Sequence, residues 1–379
     1  MTPGGAAASG RLGRPDPRRR VGAPAGGPGV DAPAGRTQPG TRARYWHALE
    51  GGDIGQVQCD LCPRHCRPRP GQRGFCFVRQ NVGGALELTT YGRSSGFAVD
   101  PMEKKPLYHV TPGATVFSFG TAGCNLACRF CQNWDISAAR EMDRLMAFAG
   151  PAEIAAAAAG AGCRGVAYTY NDPVIFAEYA IDTAEACRAL GLLNVAVTAG
   201  YVDGAGREDL FGAMDAANID LKSFDPGFYR RLTGARLEVV LDTLRYVVLE
   251  TPVWVEITTL LIPGLNDSDA ELDALTGWVA GELGVAVPLH FTAFHPAHRL
   301  RDVPRTPLAT LLRARRIAIG NGLRYVYTGN VADASSATTY CPGCGLGLVE
   351  RDWFQVTRLA LGTDGLCPGC GEAIPGLWA

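Results

Sequence analysis

Cys124-Asn125-Leu126-Ala127-Cys128-Arg129-Phe130-Cys131-Gln132-Asn133-Trp134 sets three thiols in a C-x3-C-x2-C spacing, shortly after the apolar run Val116–Phe119. Three thiolates suit a cubane cluster of four irons. Such clusters take one cysteine per iron, so a three-cysteine loop leaves one iron open to bind a ligand. Zinc sites usually arrive as paired C-x2-C knuckles, and this stretch has only one. A zinc site or three unconnected thiols are the competing readings, and the surroundings of the loop weigh against both.

From Thr115 onward, short apolar strands alternate with helices. Strands are expected at Val116–Phe119, Gly165–Tyr170, Asn194–Thr198, Ile219–Lys222, Trp254–Leu261, Leu289–Phe294 and Tyr325–Tyr327. Helices are expected between them, near 151–161, 173–190, 206–214, 237–249, 268–283 and 307–319, with Pro151 suited to a first helical turn. This alternation implies a parallel sheet and an α/β fold. Periodicity alone does not separate a barrel from an open doubly wound sheet.

In parallel α/β folds, functional groups gather at the carboxyl ends of the strands. Polar residues stand at six of these ends: Thr169–Pro173, Thr198–Tyr201, Asp220–Ser223, Pro263–Asp267, Thr292–Pro296 and Tyr327–Val331. Each has a plain structural reading. Asp220 suits a turn, Asn266 and Asp267 suit a helix cap, and His295 suits a satisfied structural histidine. Their coincidence at the mouth that carries the cysteine loop favours a site.

The spacing of Cys124, Cys128 and Cys131, with Phe130 before the last cysteine, resembles the signature loop of the radical S-adenosylmethionine (radical SAM) enzymes. Within that family the chain resembles the radical SAM member of the AmmeMemoRadiSam system. The matching stretches are 96–109 (GFAVDPMEKKPLYH), the loop with Gln132-Asn133-Trp134, Tyr168–Pro173, Asp220–Lys222, Leu261–Asp267, Phe291–Pro296 and Ile374–Trp378. They span about residues 57–379, and the nearest functional relatives are pyruvate formate-lyase activating enzymes.

The resemblance implies a partial (β/α)6 radical SAM barrel. It implies a [4Fe–4S] cluster on Cys124, Cys128 and Cys131, whose open iron binds S-adenosylmethionine and cleaves it to a 5′-deoxyadenosyl radical. Asn171-Asp172-Pro173 occupies the family's Asn-Glu-Pro position, where the acid meets the cofactor's amino group; here it is one methylene shorter. Lys222 is then a catalytic residue facing the cofactor carboxylate or the substrate, and Asn266 and His295 join Asn171, Asp172 and Lys222 in holding the cofactor. The implied partners are an electron donor such as flavodoxin or ferredoxin, and Memo-like and AMME-candidate-like proteins. A protein or peptide substrate is expected. An iron–sulfur electron-transfer protein and a nucleic-acid-modifying radical enzyme are the alternatives.

Two further cysteine sets flank this core. Cys59, Cys62, Cys66 and Cys76 lie within twenty residues, and four thiolates satisfy either tetrahedral zinc or a cubane cluster. The reading leans to a structural metal. Cys341, Cys344, Cys367 and Cys370 sit in two Cys-Pro-Gly-Cys-Gly knuckles, which resemble a zinc ribbon or rubredoxin-like site. Zinc is the default there and mononuclear iron the alternative. Cys163 and Cys187 read as core thiols.

The expected organisation is a disordered, Gly/Pro/Arg-rich tail over 1–44, a cysteine-rich region over 45–113, the radical SAM core over 114–337 and a C-terminal module over 338–379. Net charge is −1, which gives no electrostatic reason to bind nucleic acid or membrane. No apolar run reaches the length of a membrane-spanning helix, and the start lacks the apolar stretch of a secretory signal. Clustered cysteines without an export signal point to a reducing compartment, the cytoplasm. Lys104, Lys105 and Lys222 are the only lysines, which singles each of them out.

Overall fold

Seven strands run parallel and pair in chain order: Thr115–Phe119, Gly165–Tyr168, Leu193–Thr198, Ala216–Asp220, Trp254–Leu261, Leu289–Ala293 and Val326–Gly329. They are called the first to seventh strands below. An eighth strand, Phe97–Pro101, joins the first antiparallel, with Phe97 opposite Phe119 and Pro101 opposite Thr115. Proline is tolerated on such an edge because no ladder hydrogen bond is lost there. This computed structural model describes residues 40–139 and 147–379.

Helices cover the outer face. Pro151–Gly160, Ala177–Arg188, Gly204–Gly212, Leu237–Glu250, Asp269–Trp278 and Leu308–Gly320 each connect two successive strands. The helix Leu237–Glu250 shows why: Leu237, Val240, Leu244 and Val247 recur at helical spacing and are all buried. Gly165 shows how closely the strands approach, since a Cβ there would lie 2.3 Å from the Leu193 carbonyl oxygen.

The inner face of the sheet is filled from one end by the segment after the edge strand. Met102, Leu107 and Val110 pack on Val116, Ala167, Val195 and Ala216. Polar groups in this floor are paired. Glu256 accepts the Tyr108 and His109 backbone N–H groups at 3.0 and 2.7 Å and meets His290 Nε2 at 2.6 Å. Satisfying a buried carboxylate in this way offsets its desolvation.

The fourth strand begins and ends earlier than expected, at Ala216–Asp220, which leaves Lys222 on the loop beyond it. Ala216 and Ala217 carry little strand propensity, so sequence placed the start too late. The expected tail over 1–44 lies mostly outside the described residues. Its last part does not: Thr41–Arg42 pairs with Ala85–Leu88, and Ala43 is buried. The C-terminal strands Thr339–Tyr340, Gly347–Asp352 and Gln355–Leu359 form an antiparallel sheet. This segment does not stand apart, because Cys341, Leu348 and Cys367 share one core with Tyr108, Tyr325 and Tyr327. Among the described residues no helix is long and apolar enough to cross a membrane.

Candidate active site

The cysteine loop leaves the first strand at Gly120, where a Cβ would meet the Thr169 carbonyl oxygen at 2.3 Å. Loops from other strand ends hold it in place. Asn171, after the second strand, donates from Nδ2 to Thr121 Oγ1 and to the Gly123 carbonyl at 3.1 Å each, and accepts from Thr121 N at 3.2 Å. Asn125 donates to the Tyr201 carbonyl beyond the third strand at 2.8 Å. The Ala127 and Arg129 amides donate to Thr233 and Leu232 beyond the fourth, both at 2.8 Å. Past the sixth strand, Arg299 N donates to the Arg129 carbonyl at 2.9 Å and His298 stacks on Trp134.

Cys124, Cys128 and Cys131 thus sit where these loops converge. The Leu126 amide donates to the Cys124 sulfur at 3.3 Å, and Cys131 Sγ lies 3.7 Å from Ser137 Oγ. Burial pushes the Cys124 thiol well up, and the Asp172 charge adds to it. Burial pushes Cys128 up to about 12 against the opposing Lys222 charge. The three sulfurs are half-buried, and the raised thiols of Cys124 and Cys128 deprotonate when a cation replaces the proton, which suits ligands of a metal cluster.

Lys222 stands just past the fourth strand with its Nζ 2.6 Å from Asp220 Oδ2. Burial opposes its charge, but Asp220 and the Cys128 sulfur outweigh that, so its pKa lies above the ordinary value. It is a fixed cation next to the cysteine loop. Asp172 is fully engaged. Its Oδ1 accepts from Val174 N at 3.0 Å and Thr198 Oγ1 at 2.9 Å, and its Oδ2 accepts from Ala199 N at 2.9 Å. Burial raises its pKa, while these donors and Lys222 oppose the rise.

Asn266 is buried and engaged with backbone. It donates to the Lys222 and Leu260 carbonyls at 2.8 and 2.9 Å and accepts from Ile262 N at 2.7 Å. The next helix is capped by Ser268, whose side chain accepts from Glu271 N. Asn171 and Asn266 therefore shape the loops that carry the cysteines and Lys222. His295 is half-buried past the sixth strand; burial and then the Arg305 charge lower its pKa, against a backbone contact from Asn330.

A second charge cluster centres on the buried Asp100 and Lys105 of the 96–109 stretch. Asp100 on the edge strand meets Lys104 and Lys105 Nζ at 2.7 Å each. It also accepts from Tyr170 Oη at 3.0 Å, and Tyr170 follows the second strand at φ 72°. A tyrosine in the left-handed region is strained and needs its surroundings to hold it. Burial lowers the Lys105 pKa to about 8, with Asp100 opposing.

The four C-terminal cysteines form a closed set, and their sulfurs all lie within 4.8 Å of one another. Among the described residues this is the one group of three or more His, Cys, Asp or Glu ligands drawn that close.

A protein-family model described as the Radical SAM superfamily matches residues 119–275. An uncharacterised protein of Methanocaldococcus jannaschii is 41% identical over 324 residues, spanning 85% of this chain and 96% of that one. The chain belongs to the radical SAM superfamily. The pyruvate formate-lyase-activating enzyme of Clostridium pasteurianum is 24% identical over 163 residues, 40% of this chain and 64% of that one. Among solved structures, a radical SAM methyltransferase from Sphaerobacter thermophilus matches with a TM-score of 0.46 and 19% identity, covering 62% of this chain and 70% of that one. Membership of the superfamily implies a [4Fe–4S] cluster and S-adenosylmethionine, and three half-buried thiols on one braced loop fit that cluster.

Proposed function

We propose that this chain is the radical SAM enzyme of an AmmeMemoRadiSam system, acting on a protein or peptide group in the cytoplasm. In this reading the parallel strands form a partial (β/α)6 barrel, and Cys124, Cys128 and Cys131 hold a [4Fe–4S] cluster with one open iron. When bound, that cluster supplies the electron that cleaves S-adenosylmethionine to methionine and a 5′-deoxyadenosyl radical. The observation that carries the reading is the convergence of three cysteines, Lys222 and Asp172 at the same strand ends.

The chain's own residues then have distinct tasks. Lys222, kept protonated by Asp220, offers its ammonium to the carboxylate of the cofactor or to the substrate. Asp172 is tied to Val174, Thr198 and Ala199, so it reaches an amino group through its charge or a bridging water. Asn171 and Asn266 hold the loops, and His295 takes a cofactor or substrate contact at the rim. The C-terminal cysteines hold a structural zinc. A flavodoxin- or ferredoxin-type donor supplies electrons, and Memo-like and AMME-candidate-like proteins are the partners. The Clostridium pasteurianum relative is by name an activator of an enzyme, which supports a protein target.

The test is anaerobic incubation of reduced protein with S-adenosylmethionine and chromatography for 5′-deoxyadenosine. Wild type is expected to make it slowly, and the Cys124→Ala/Cys128→Ala/Cys131→Ala variant not at all. Cluster-loaded, reduced protein that never makes it is an electron carrier instead. Mass spectrometry of co-purified partners then identifies the modified group.

A further inference from the structure

Cys59, Cys62, Cys66 and Cys76 line one small hollow, partly open to solvent. Arg79 and Asn125 complete the wall that matters here. Cys59, Cys62 and Cys76 are buried, and Cys66 is half-buried. The spacing of the sulfurs separates this site from the C-terminal one. Four thiolates on a single zinc at about 2.3 Å draw their sulfurs together, as the C-terminal set is drawn. The N-terminal four do not close to that distance, and neither do Cys124, Cys128 and Cys131. A wider set around an open hollow suits ligands that each bind a different iron of one cluster.

The surrounding polar groups face the same way. Phe75 N donates to the Cys66 sulfur at 3.3 Å. The backbone amides of Leu61, Arg64, Val78 and Arg79 act on the sulfurs of Cys59, Cys62 and Cys76. Phe77 adopts φ 74°, a left-handed conformation that an aromatic residue reaches only under constraint, in the turn that brings the Val78 and Arg79 amides to Cys76. Arg79 is buried and its two terminal nitrogens grip the Glu178 carboxylate. Its Nε is buried with no hydrogen-bond partner among the described residues. An anionic cluster in the hollow gives that orphaned donor a counterpart.

We propose that Cys59, Cys62, Cys66 and Cys76 hold a second [4Fe–4S] cluster, redox-active and fully ligated by cysteine. It shares a wall with the cysteine loop. Asn125 acts on the Cys62 sulfur through its side chain, and the Cys124 sulfur lies 4.0 Å from its Oδ1. This inference is independent of whether the loop cluster cleaves S-adenosylmethionine.

The test uses the full chain with Cys124→Ala/Cys128→Ala/Cys131→Ala, reconstituted anaerobically with iron and sulfide. About four acid-labile sulfides per chain are expected to remain, with a reduced-state electron paramagnetic resonance signal that S-adenosylmethionine does not alter. Neither zinc nor a mononuclear iron at the C-terminal cysteines carries labile sulfide, so the count reads the N-terminal site alone. Adding Cys59→Ala/Cys62→Ala should take sulfide and signal to near zero. A soluble triple variant with no labile sulfide, whether zinc-loaded or metal-free, overturns the proposal. Should the variant precipitate, wild-type protein is compared with Cys59→Ala/Cys62→Ala alone: a fall of about four sulfides per chain supports the N-terminal cluster, and an unchanged count overturns it. Wild type and triple variant with equal sulfide, about four, would instead remove the cluster from Cys124, Cys128 and Cys131.

Discussion

Gly123 and Cys76 meet backbone to backbone: a Cβ on Gly123 would lie 2.0 Å from the Cys76 carbonyl oxygen. Gly123 also adopts φ 81°. The residue before the first cysteine of the loop is therefore pressed against the last cysteine of the N-terminal set. Gly123→Ala adds a left-handed penalty of about 1 kcal/mol to an overlap that backbone on both sides must relieve, so a loss of about 3 kcal/mol is expected. Thermal melting should show a clear drop, and iron content should fall with it. A variant with wild-type melting and iron would mean that the two loops separate freely.

The fixed cation at Lys222 gives a second expectation. Lys222→Met keeps most of the buried stem and removes the charge, while Asp220, partly exposed, can turn to water. Production of 5′-deoxyadenosine should fall at least about tenfold, the equivalent of one lost charge-assisted contact. Iron and labile sulfide should stay at wild-type levels, because Lys222 is not a ligand. Lys222→Arg should recover part of the loss. Undiminished product from the Met variant would remove Lys222 from the site.

Much of this was legible in sequence because strong local signals agreed. Three cysteines at fixed spacing, glycine beside them, and strands alternating with helices all point to one mouth. The edge strand Phe97–Pro101 escaped because its pairing partner is set by tertiary contact, not by alternation along Phe-Ala-Val-Asp-Pro. Asn171, Asp172 and Asn266 stood out in sequence as candidate site residues. Their hydrogen bonds to backbone were not, since those partners lie on other strands. The Asp100–Lys105–Tyr170 cluster was hidden for the same reason: it joins the edge strand, the floor segment and the second strand's loop.

His109 in the floor predicts acid sensitivity. A carbonyl only accepts, so the contact with the Pro375 carbonyl at 2.7 Å places the proton on Nδ1, and Nε2 accepts from Tyr327 Oη at 2.6 Å. The neutral ring is thus the one the fold accommodates, and burial lowers its pKa to about 4, with Glu256 opposing. An unfolded chain takes up that proton near pH 6.5, so the contribution is present above that pH and is lost as pH falls toward 4. The full window is worth about 3 kcal/mol. Melting temperature measured from pH 7 to pH 4.5 should fall more steeply for wild type than for His109→Gln. Parallel curves would show that His109 does not drive the acid loss.

The C-terminal cysteines should hold one zinc per chain, and its loss should harm the fold before the chemistry. Cys341 and Cys370 sulfurs lie 3.5 Å apart, and those of Cys344 and Cys367 3.6 Å apart. A tetrahedron of thiolates at about 2.3 Å from zinc sets its sulfurs about 3.8 Å apart, so the site needs only a slight expansion. Four thiolates saturate the ion and leave no position for water or substrate. Cys341 and Cys367 also belong to the core that Tyr108, Tyr325 and Tyr327 share, and Tyr327 bonds His109. Loosening the knuckles therefore loosens the floor of the main sheet. Metal binding adds about 10 kcal/mol or more in isolated zinc modules and less inside a larger domain. A residual of about 2 kcal/mol here lowers the melting temperature by about 2–3 °C. Cys367→Ser is the variant to measure, by metal analysis and thermal melting, with labile sulfide as the readout for the clusters elsewhere. Zinc lost, melting lowered and sulfide retained in the soluble fraction is the expected result. A metal-free variant that melts like wild type but no longer makes 5′-deoxyadenosine would make this set part of the chemistry, and bound iron in the wild type would then replace zinc as its metal.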